Sequence, residues 1–493
     1  MTIFSRRRFL EATALLAATA PLGGCMRARG SAPNDAVAMA EAVRSGRTTA
    51  SALVEAAIAR LERANPQINA VAYPNSDRAR AAAATASGPL GGVPTVIKDI
   101  SPQAGLPYTS GSRAYARRVP TETSPYLQAV ERAGVISIGR STSPEFGLTA
   151  TTEPLLTGAT RNPWNLGHSP GGSSGGSGAA VAAGVVPVAH ATDGGGSIRI
   201  PAAVNGLVGL KPSRGRMAGS ASAAADDVTS VSVGNCVSRT VRDTAAWFAA
   251  TEAREGSRFA PVGVVTGPGR DRLTIGVHLA RGDGTLPHGD VQNVFSNASL
   301  LLERLGHKVV DQPLAFDGDK SAAAFTTLWG AGAAHDIQGV AKLLGRMPGP
   351  DDLEPLTFGM ASVAQQAGEA GVRAAIATLG EVARRYTAQF EAIDIYMTPT
   401  LALPPVPIGY LATTLPFELQ QQRLNDYVAY TPIENIAGAP SISLPMGMSR
   451  DGLPIGIQFA TRPGGERVLL ELAFELEREL EWYRNKPPLW VGE

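Results

Sequence analysis

Apolar and polar side chains alternate along this chain with two different periods. Across residues 35–64 the apolar positions are spaced three and four apart, which predicts helices, the second capped at its start by Thr49 or Ser51. Residues 91–99 contain a short apolar run that predicts a buried strand, and residues 124–140 predict a helix followed by a strand. Helices and strands therefore alternate, which favours an α/β fold over separate helical and sheet halves.

The second half of the chain continues this alternation. Residues 273–312 predict a strand, a helix and a strand in turn, and residues 322–346 predict a pair of helices. Residues 372–390 have the pattern of an amphipathic helix. Within residues 430–490, the Asp-Gly pair at residues 451–452 predicts the turn of a strand hairpin.

Composition narrows the class of protein. The chain has 493 residues, of which 44% are hydrophobic, enough for a large core. It carries 44 basic and 43 acidic residues, so nothing indicates nucleic acid or another polyanion as a partner. The six histidines have no metal-ligand spacing, and we expect neither a metal nor a cofactor.

The first 30 residues are predicted to be an export segment with a short linker. SRRRFL at residues 5–10 resembles a twin-arginine signal, and the apolar stretch that follows is too short to span a bilayer comfortably. LGGC at residues 22–25 resembles a bacterial lipobox, so Cys25 is the expected lipid anchor and only membrane contact. A plain exported protein and a cytoplasmic one remain alternatives. The protein is therefore predicted to be exported from the cytoplasm of a bacterium, and to be periplasmic or anchored in a membrane. Cys236 would then be the only cysteine left in the body of the mature protein, which excludes an intramolecular disulfide.

The candidate chemistry lies in residues 171–199, where two clusters of Gly and Ser are joined by a segment of small apolar residues. Ser173 and Ser174 are in the first cluster and Ser197 ends the second, while Lys98 ends the predicted strand upstream. A serine is a weak nucleophile until a neighbouring base activates it, and a lysine is a base only when burial keeps it neutral. The glycines before Ser197 could direct backbone N–H groups at one point, as an oxyanion hole requires.

These segments resemble those of the amidase signature hydrolases. The matching runs are VIKDI at residues 96–100, PGGSSGGS at 170–177 and TDGGGSIRIPA at 192–202, and their separations also fit that family. The resemblance implies a Ser–cis-Ser–Lys triad with Ser197 as nucleophile, Ser173 as bridge and Lys98 as base. It further implies a cis peptide bond between residues 172 and 173.

The resemblance also implies supporting roles. Ser174 is expected as a second hydroxyl near Lys98. The oxyanion-binding backbone is expected in four consecutive residues: Gly194, Gly195, Gly196 and Ser197. Asp193 and Arg199, which flank this loop, are expected to form a structural ion pair rather than to take part in the chemistry.

Three positions depart from the family pattern. Gly194 stands where the family usually has Thr, which could loosen the oxyanion loop. His190 stands where an apolar residue is common, and His168 takes a place often held by Arg. The two histidines could line the pocket. These departures leave rate and substrate range open, but not the triad.

The resemblance covers nearly all of residues 35–481, and implies one large α/β domain with a central mixed sheet flanked by helices on both faces. We assign this catalytic domain to residues 31–493, with the signature core at about 90–250 and a substrate-shaping region at about 256–430. The latter is similar to the subgroup that contains 6-aminohexanoate-cyclic-dimer hydrolases, most specifically at PTLALPPVPIG, residues 399–409.

The predicted function is hydrolysis of a small-molecule amide through an acyl-enzyme on Ser197. An esterase of the α/β-hydrolase type is one alternative, because residues 172–176 satisfy G-x-S-x-G with Ser174 as nucleophile. A non-catalytic phosphate cradle and an amidotransferase-like subunit are others, although the motif lysine of a phosphate loop is absent. The sequence leaves open which amide is cleaved, whether it is linear or cyclic, and whether the protein is a homodimer.

Overall fold

A computed structural model describes residues 34–220, 224 and 226–492. The predicted export segment and Cys25 lie outside the described residues, so both stay predictions. In the part of the chain that the structure describes, no helix is both long and apolar enough to cross a membrane.

The helices of the described residues are labelled α1 to α13 in chain order. They are Ala36–Arg44, Ala50–Ile68, Ser76–Ala83, Pro125–Ala133, Gly175–Ala182, Arg199–Asn205, Val241–Thr251, Gly289–Arg304, Gly318–Leu344, Pro355–Ala388, Phe417–Tyr427, Pro432–Ile436 and Glu466–Leu480. The predicted capping of α2 is confirmed for Thr49, whose side chain accepts a hydrogen bond from the backbone N–H of Ala52 at 3.1 Å.

The strands are labelled β1 to β11 in the same way. They are Val71–Pro74, Pro94–Lys98, Ile136–Ser141, Val188–Asp193, Val208–Lys211, Val233–Ser238, Thr274–Val277, Lys308–Asp311, Ile395–Pro399, Ser441–Met448 and Pro454–Ala460. The predicted hairpin near the C-terminus is confirmed, since β10 and β11 pair antiparallel on either side of the 451–452 turn.

Most of the strands form one mixed sheet in the order β4-β6-β5-β10-β11-β9-β7-β8. The pairs from β4 to β9 are antiparallel, whereas β9, β7 and β8 run parallel. Helices cover both faces, as alternate residues of β11 show. Ile455 and Ile457 pack in a cluster with the apolar sides of α8 and α13. Gly456 faces α6, where a Cβ would come within 2.6 Å of Ala203 Cβ. The expected single domain with a helix-flanked mixed sheet is confirmed.

A small sheet, ordered β1-β3-β2, lies against the edge strand β4 of the large one. The Thr95 hydroxyl donates to the Val188 carbonyl at 2.9 Å, and the Lys98 backbone N–H donates to His190 Nδ1 at 3.2 Å. Residue numbers rise in the same direction along both strands. Lys98, at the end of β2, is thereby brought beside the end of β4 and the loop that follows it.

The predicted helix pair at residues 322–346 is wrong, because residues 322–344 belong to one continuous helix, α9. The helix continues through Gly330 and Gly332 although glycine disfavours helix interiors. Gly330 instead permits close packing, because a Cβ there would lie 2.5 Å from the Met360 carbonyl oxygen of α10. The amphipathic helix predicted at 372–390 is the second part of α10, which bends at the non-helical Gly368.

Candidate active site

Lys98 is fully buried at the end of β2, with an exposed fraction of 0%. Its Nζ lies 2.7 Å from Ser173 Oγ and 2.9 Å from Thr192 Oγ1, both hydrogen-bond distances. Burial lowers the pKa of the Lys98 ammonium to about 7, against the opposing effect of the negative charge on Asp193. A large fraction of Lys98 is therefore neutral near neutral pH and able to accept a proton.

The first glycine cluster places two neighbouring hydroxyls in different roles. The Gly172–Ser173 peptide bond is cis, and Ser173 is buried directly before α5 with its hydroxyl at Lys98. The Ser174 hydroxyl instead contacts the Thr192 backbone, donating to its carbonyl at 3.2 Å and accepting from its N–H at 3.3 Å. Ser174 therefore holds in place the residue whose own hydroxyl contacts Lys98.

The second glycine cluster forms the loop between β4 and α6. Gly196 has a φ of +135°, and its N–H donates to Asp193 Oδ1 at 2.7 Å. Among the described residues, the N–H groups of Gly194, Gly195 and Ser197 have no hydrogen-bond acceptor. The expected set of four oxyanion donors is thus reduced to three, because the Gly196 N–H is already used inside the loop.

Ser197 lies at the edge of a cavity of about 510 Å³ and, together with Gly195, forms part of its lining. Its side chain is partly exposed, unlike those of Lys98 and Ser173. No hydrogen bond in the described part of the chain joins Ser197 to Ser173. The structure therefore brings Lys98 and Ser173 into direct contact and leaves Ser197 facing the space a substrate would enter.

Asp193 and Arg199 form a buried ion pair below the loop, with Arg199 Nε at 3.0 Å from Asp193 Oδ2. Arg199 also contacts Glu434 Oε2 at 2.7 Å and Asn435 Oδ1 at 2.6 Å, so α12 belongs to the same network. Burial alone would raise the pKa of the Asp193 carboxyl, but the charge and hydrogen bonds of Arg199 hold it well below its usual range. A permanently ionised Asp193 can then accept the Gly196 and Ile198 N–H groups and fix the loop.

Sequence reasoning missed several residues of this centre. Thr192 contacts Lys98 directly, and Thr431 donates to the Gly195 carbonyl at 2.6 Å. Thr192 lies within the TDGGGSIRIPA run, so the sequence predicted that it stands beside the loop. The sequence did not predict that its hydroxyl contacts Lys98. Thr431 comes from more than 200 residues downstream, and no local pattern connects it to the loop.

The two unusual histidines do not line the cavity. His190 is buried below Lys98, where burial lowers its pKa well below the usual value and keeps it a neutral acceptor. His168 instead forms an isolated antiparallel β-bridge with Pro407. A different histidine, His278, is among the residues that surround the cavity. The expectation that His168 or His190 shapes the pocket is therefore wrong.

Comparison with known proteins agrees with this geometry. The family model described as Amidase matches residues 52–470. The chain belongs to the amidase signature family. "Putative amidase AmiC" of Mycobacterium tuberculosis (strain ATCC 25618 / H37Rv) is 42% identical over 465 residues, which cover 92% of this chain and 96% of that protein. The 6-aminohexanoate-cyclic-dimer hydrolase of Paenarthrobacter ureafaciens is 37% identical over 477 residues, covering 92% and 96%.

A solved structure of a 6-aminohexanoate cyclic dimer hydrolase superposes with a TM-score of 0.85 at 36% identity, covering 92% of this chain and 99% of that one. This member of the amidase signature family is an amidase, an enzyme that hydrolyses amide carbon–nitrogen bonds. The alternative of an α/β-hydrolase centred on Ser174 is not favoured. The 13 residues before Ser174 contain no strand from which a nucleophile elbow could turn, and its hydroxyl is occupied by the Thr192 backbone.

Proposed function

We propose that this amidase cleaves a small-molecule carboxamide by acyl transfer to Ser197, with Ser173 as the proton bridge and Lys98 as the base. The observation that carries the proposal is the buried Lys98 Nζ, 2.7 Å from Ser173 Oγ. Ser197 lies at the adjoining cavity, on a loop in which three backbone N–H groups have no hydrogen-bond acceptor among the described residues. These are the base, the relay and the anion-stabilising donors that acyl transfer needs.

Proton transfer begins at the lone pair of neutral Lys98. A neutral lysine has two N–H bonds and one lone pair, so the Thr192 hydroxyl can accept one N–H while the lone pair faces Ser173. Ser173 gives its proton to Lys98 and takes the proton of Ser197 as Ser197 attacks the carbonyl carbon. Thr192 thereby acts as a positioning residue for the base.

The carbonyl oxygen becomes negatively charged as the new C–O bond forms. The N–H groups of Gly194, Gly195 and Ser197 would donate to it, on a loop held from below by Asp193 and from the side by Thr431. Return of the proton through Ser173 to the amide nitrogen lets the C–N bond break and the amine leave. Water, activated by the same relay, then releases the acid from Ser197.

Fluorophosphonate labelling followed by peptide mapping tests this assignment. We expect one adduct on Ser197, which the Ser197→Ala variant loses and the Ser174→Ala variant keeps. Ser174 is the matched control, because it is another serine beside the centre and its hydroxyl contacts the Thr192 backbone. An adduct on Ser174, or undiminished labelling of Ser197→Ala, would overturn the proposal.

We also propose that the protein is exported and anchored in the membrane through Cys25. The twin-arginine-like run at residues 5–10 and the LGGC run at residues 22–25 support this proposal. Metabolic labelling with a fatty acid should mark the wild-type protein and not a Cys25→Ser variant, which should also leave the membrane fraction. Unchanged fractionation and no fatty-acid label on the wild type would contradict it. The homodimer stays a prediction.

A further inference from the structure

Two aromatic side chains of α9 lie against the proposed oxyanion loop. Phe325 and Trp329 are four residues apart, so they project from the same side of the helix. Their rings stack with centroids 5.4 Å apart and planes inclined by 27°. Both line the 510 Å³ cavity together with Ser197 and Gly195. We call this pair the aromatic wall.

The aromatic wall occupies the space that side chains on the loop would need. A Cβ on Gly194 would lie 3.0 Å from Trp329 Cη2, and a Cβ on Gly195 would lie 3.2 Å from Phe325 Cζ. Gly194 is the position at which the sequence departs from the usual Thr. The structure explains that departure: the ring of Trp329 stands where a larger side chain would extend.

A hydrogen bond also fixes the aromatic wall to a second segment of the cavity lining. Trp329 Nε1 donates to the Leu148 carbonyl at 3.2 Å, which ties α9 to the 147–150 loop on another side of the cavity. An indole fixed at its N–H presents its faces and edge in a constant orientation. Such a ring favours a flat apolar partner, since offset or edge-to-face aromatic contacts are worth more than the buried area alone.

We infer that Phe325 and Trp329 select substrates whose acyl group carries a planar aromatic ring next to the scissile carbonyl. This inference rests on the proposed role of Ser197. Phe325 and Trp329 line the same cavity as Ser197 and Gly195, so an acyl group bonded to Ser197 shares that cavity with the two rings. A saturated ring of the same size would fill the volume without the stacking contact.

Boronic acids test the inference directly, because boron bonds reversibly to a serine nucleophile and carries its substituent where an acyl group would stand. We would measure the binding of phenylboronic and cyclohexylboronic acid by calorimetry. Wild-type protein should bind the phenyl compound roughly tenfold more tightly than the cyclohexyl compound. In Trp329→Leu the preference should fall to about twofold or less.

The variants separate the outcomes. Phe259→Leu is the matched control, because Phe259 is a partly buried aromatic residue outside the cavity lining, and it should keep the wild-type preference. Gly194→Ala should weaken the binding of phenylboronic acid. The double variant Gly194→Ala with Trp329→Leu should lose less binding free energy for this compound than the sum of the losses in the two single variants. Equal binding of the two compounds to wild type, or a preference that survives Trp329→Leu, would overturn the inference. Binding of neither compound by folded wild-type protein would instead count against Ser197 as nucleophile.

Discussion

The reaction centre and the aromatic wall face the same cavity but are built differently. The proposed reaction centre, which comprises Lys98, Ser173, Thr192 and the 194–197 loop, is set by short strands and buried polar contacts. The aromatic wall comes from a 27-residue helix, and its rings lie where a Cβ on Gly194 or Gly195 would point. The comparison teaches that the proposed reaction centre is held by charges and hydrogen bonds, whereas the aromatic wall offers only apolar shape. Changes in the two regions should therefore affect different measured quantities.

The largest expected effect is removal of the nucleophile. Ser197→Ala should lower kcat by roughly a millionfold, because it removes the hydroxyl proposed to form the acyl-enzyme. Ser174→Ala should cost far less, since its hydroxyl only supports the Thr192 backbone. Steady-state rates on one amide would decide between them. A Ser197→Ala enzyme with near wild-type kcat would show that the reaction centre is elsewhere.

Breaking the ion network below the loop should cost stability as well as rate. Arg199→Met leaves Asp193 and Glu434 buried without their cation, and should lower the free energy of unfolding by about 3–5 kcal/mol. Arg373→Met is the control, because the Arg373–Glu369 pair is largely exposed and should contribute about 0–1 kcal/mol. Denaturant unfolding of both variants measures the difference. Equal losses would mean that the buried network does not stabilise the fold.

The activity should depend on pH through Lys98 alone among the residues of the reaction centre. Burial lowers the pKa of Lys98 to about 7, and only the neutral amine can accept the proton of Ser173. The value of kcat/KM should therefore rise from acidic pH through about 7 and then level off, falling about tenfold for each pH unit below that point. A flat profile between mildly acidic and mildly alkaline pH would exclude lysine as the base.

A smaller effect should follow from removing the Thr192 hydroxyl. Thr192→Val should lower kcat about tenfold, because it takes away one acceptor that orients the Lys98 amine. That acceptor also stabilises the charged ammonium, so its loss should move the rising limb of the pH profile to lower pH. Thr192→Ser should restore both kcat and the position of the rising limb of the pH profile. A rate loss without any movement of the limb would indicate a purely structural role.

The fold class could be predicted from sequence, and the three candidate residues could be located, because each depends on local pattern. Glycine and serine runs indicated where the backbone makes close turns, and Lys98 ends a short apolar run that forms β2. Helix boundaries in α9 and α10 were harder to predict. Gly330 allows α9 and α10 to touch, and that contact exists only once both helices are packed.

What the sequence by itself determined is the family and the candidate reacting groups, since residues 98, 173 and 197 stand in its characteristic motifs. What only the tertiary structure decided is which groups are free to act. The Gly196 N–H is taken by Asp193, His190 supports Lys98 from below, and α9 supplies the aromatic wall from more than 120 residues away. The physical reason is that hydrogen bonds and ring contacts depend on distances in space, and those distances join segments that no local pattern connects.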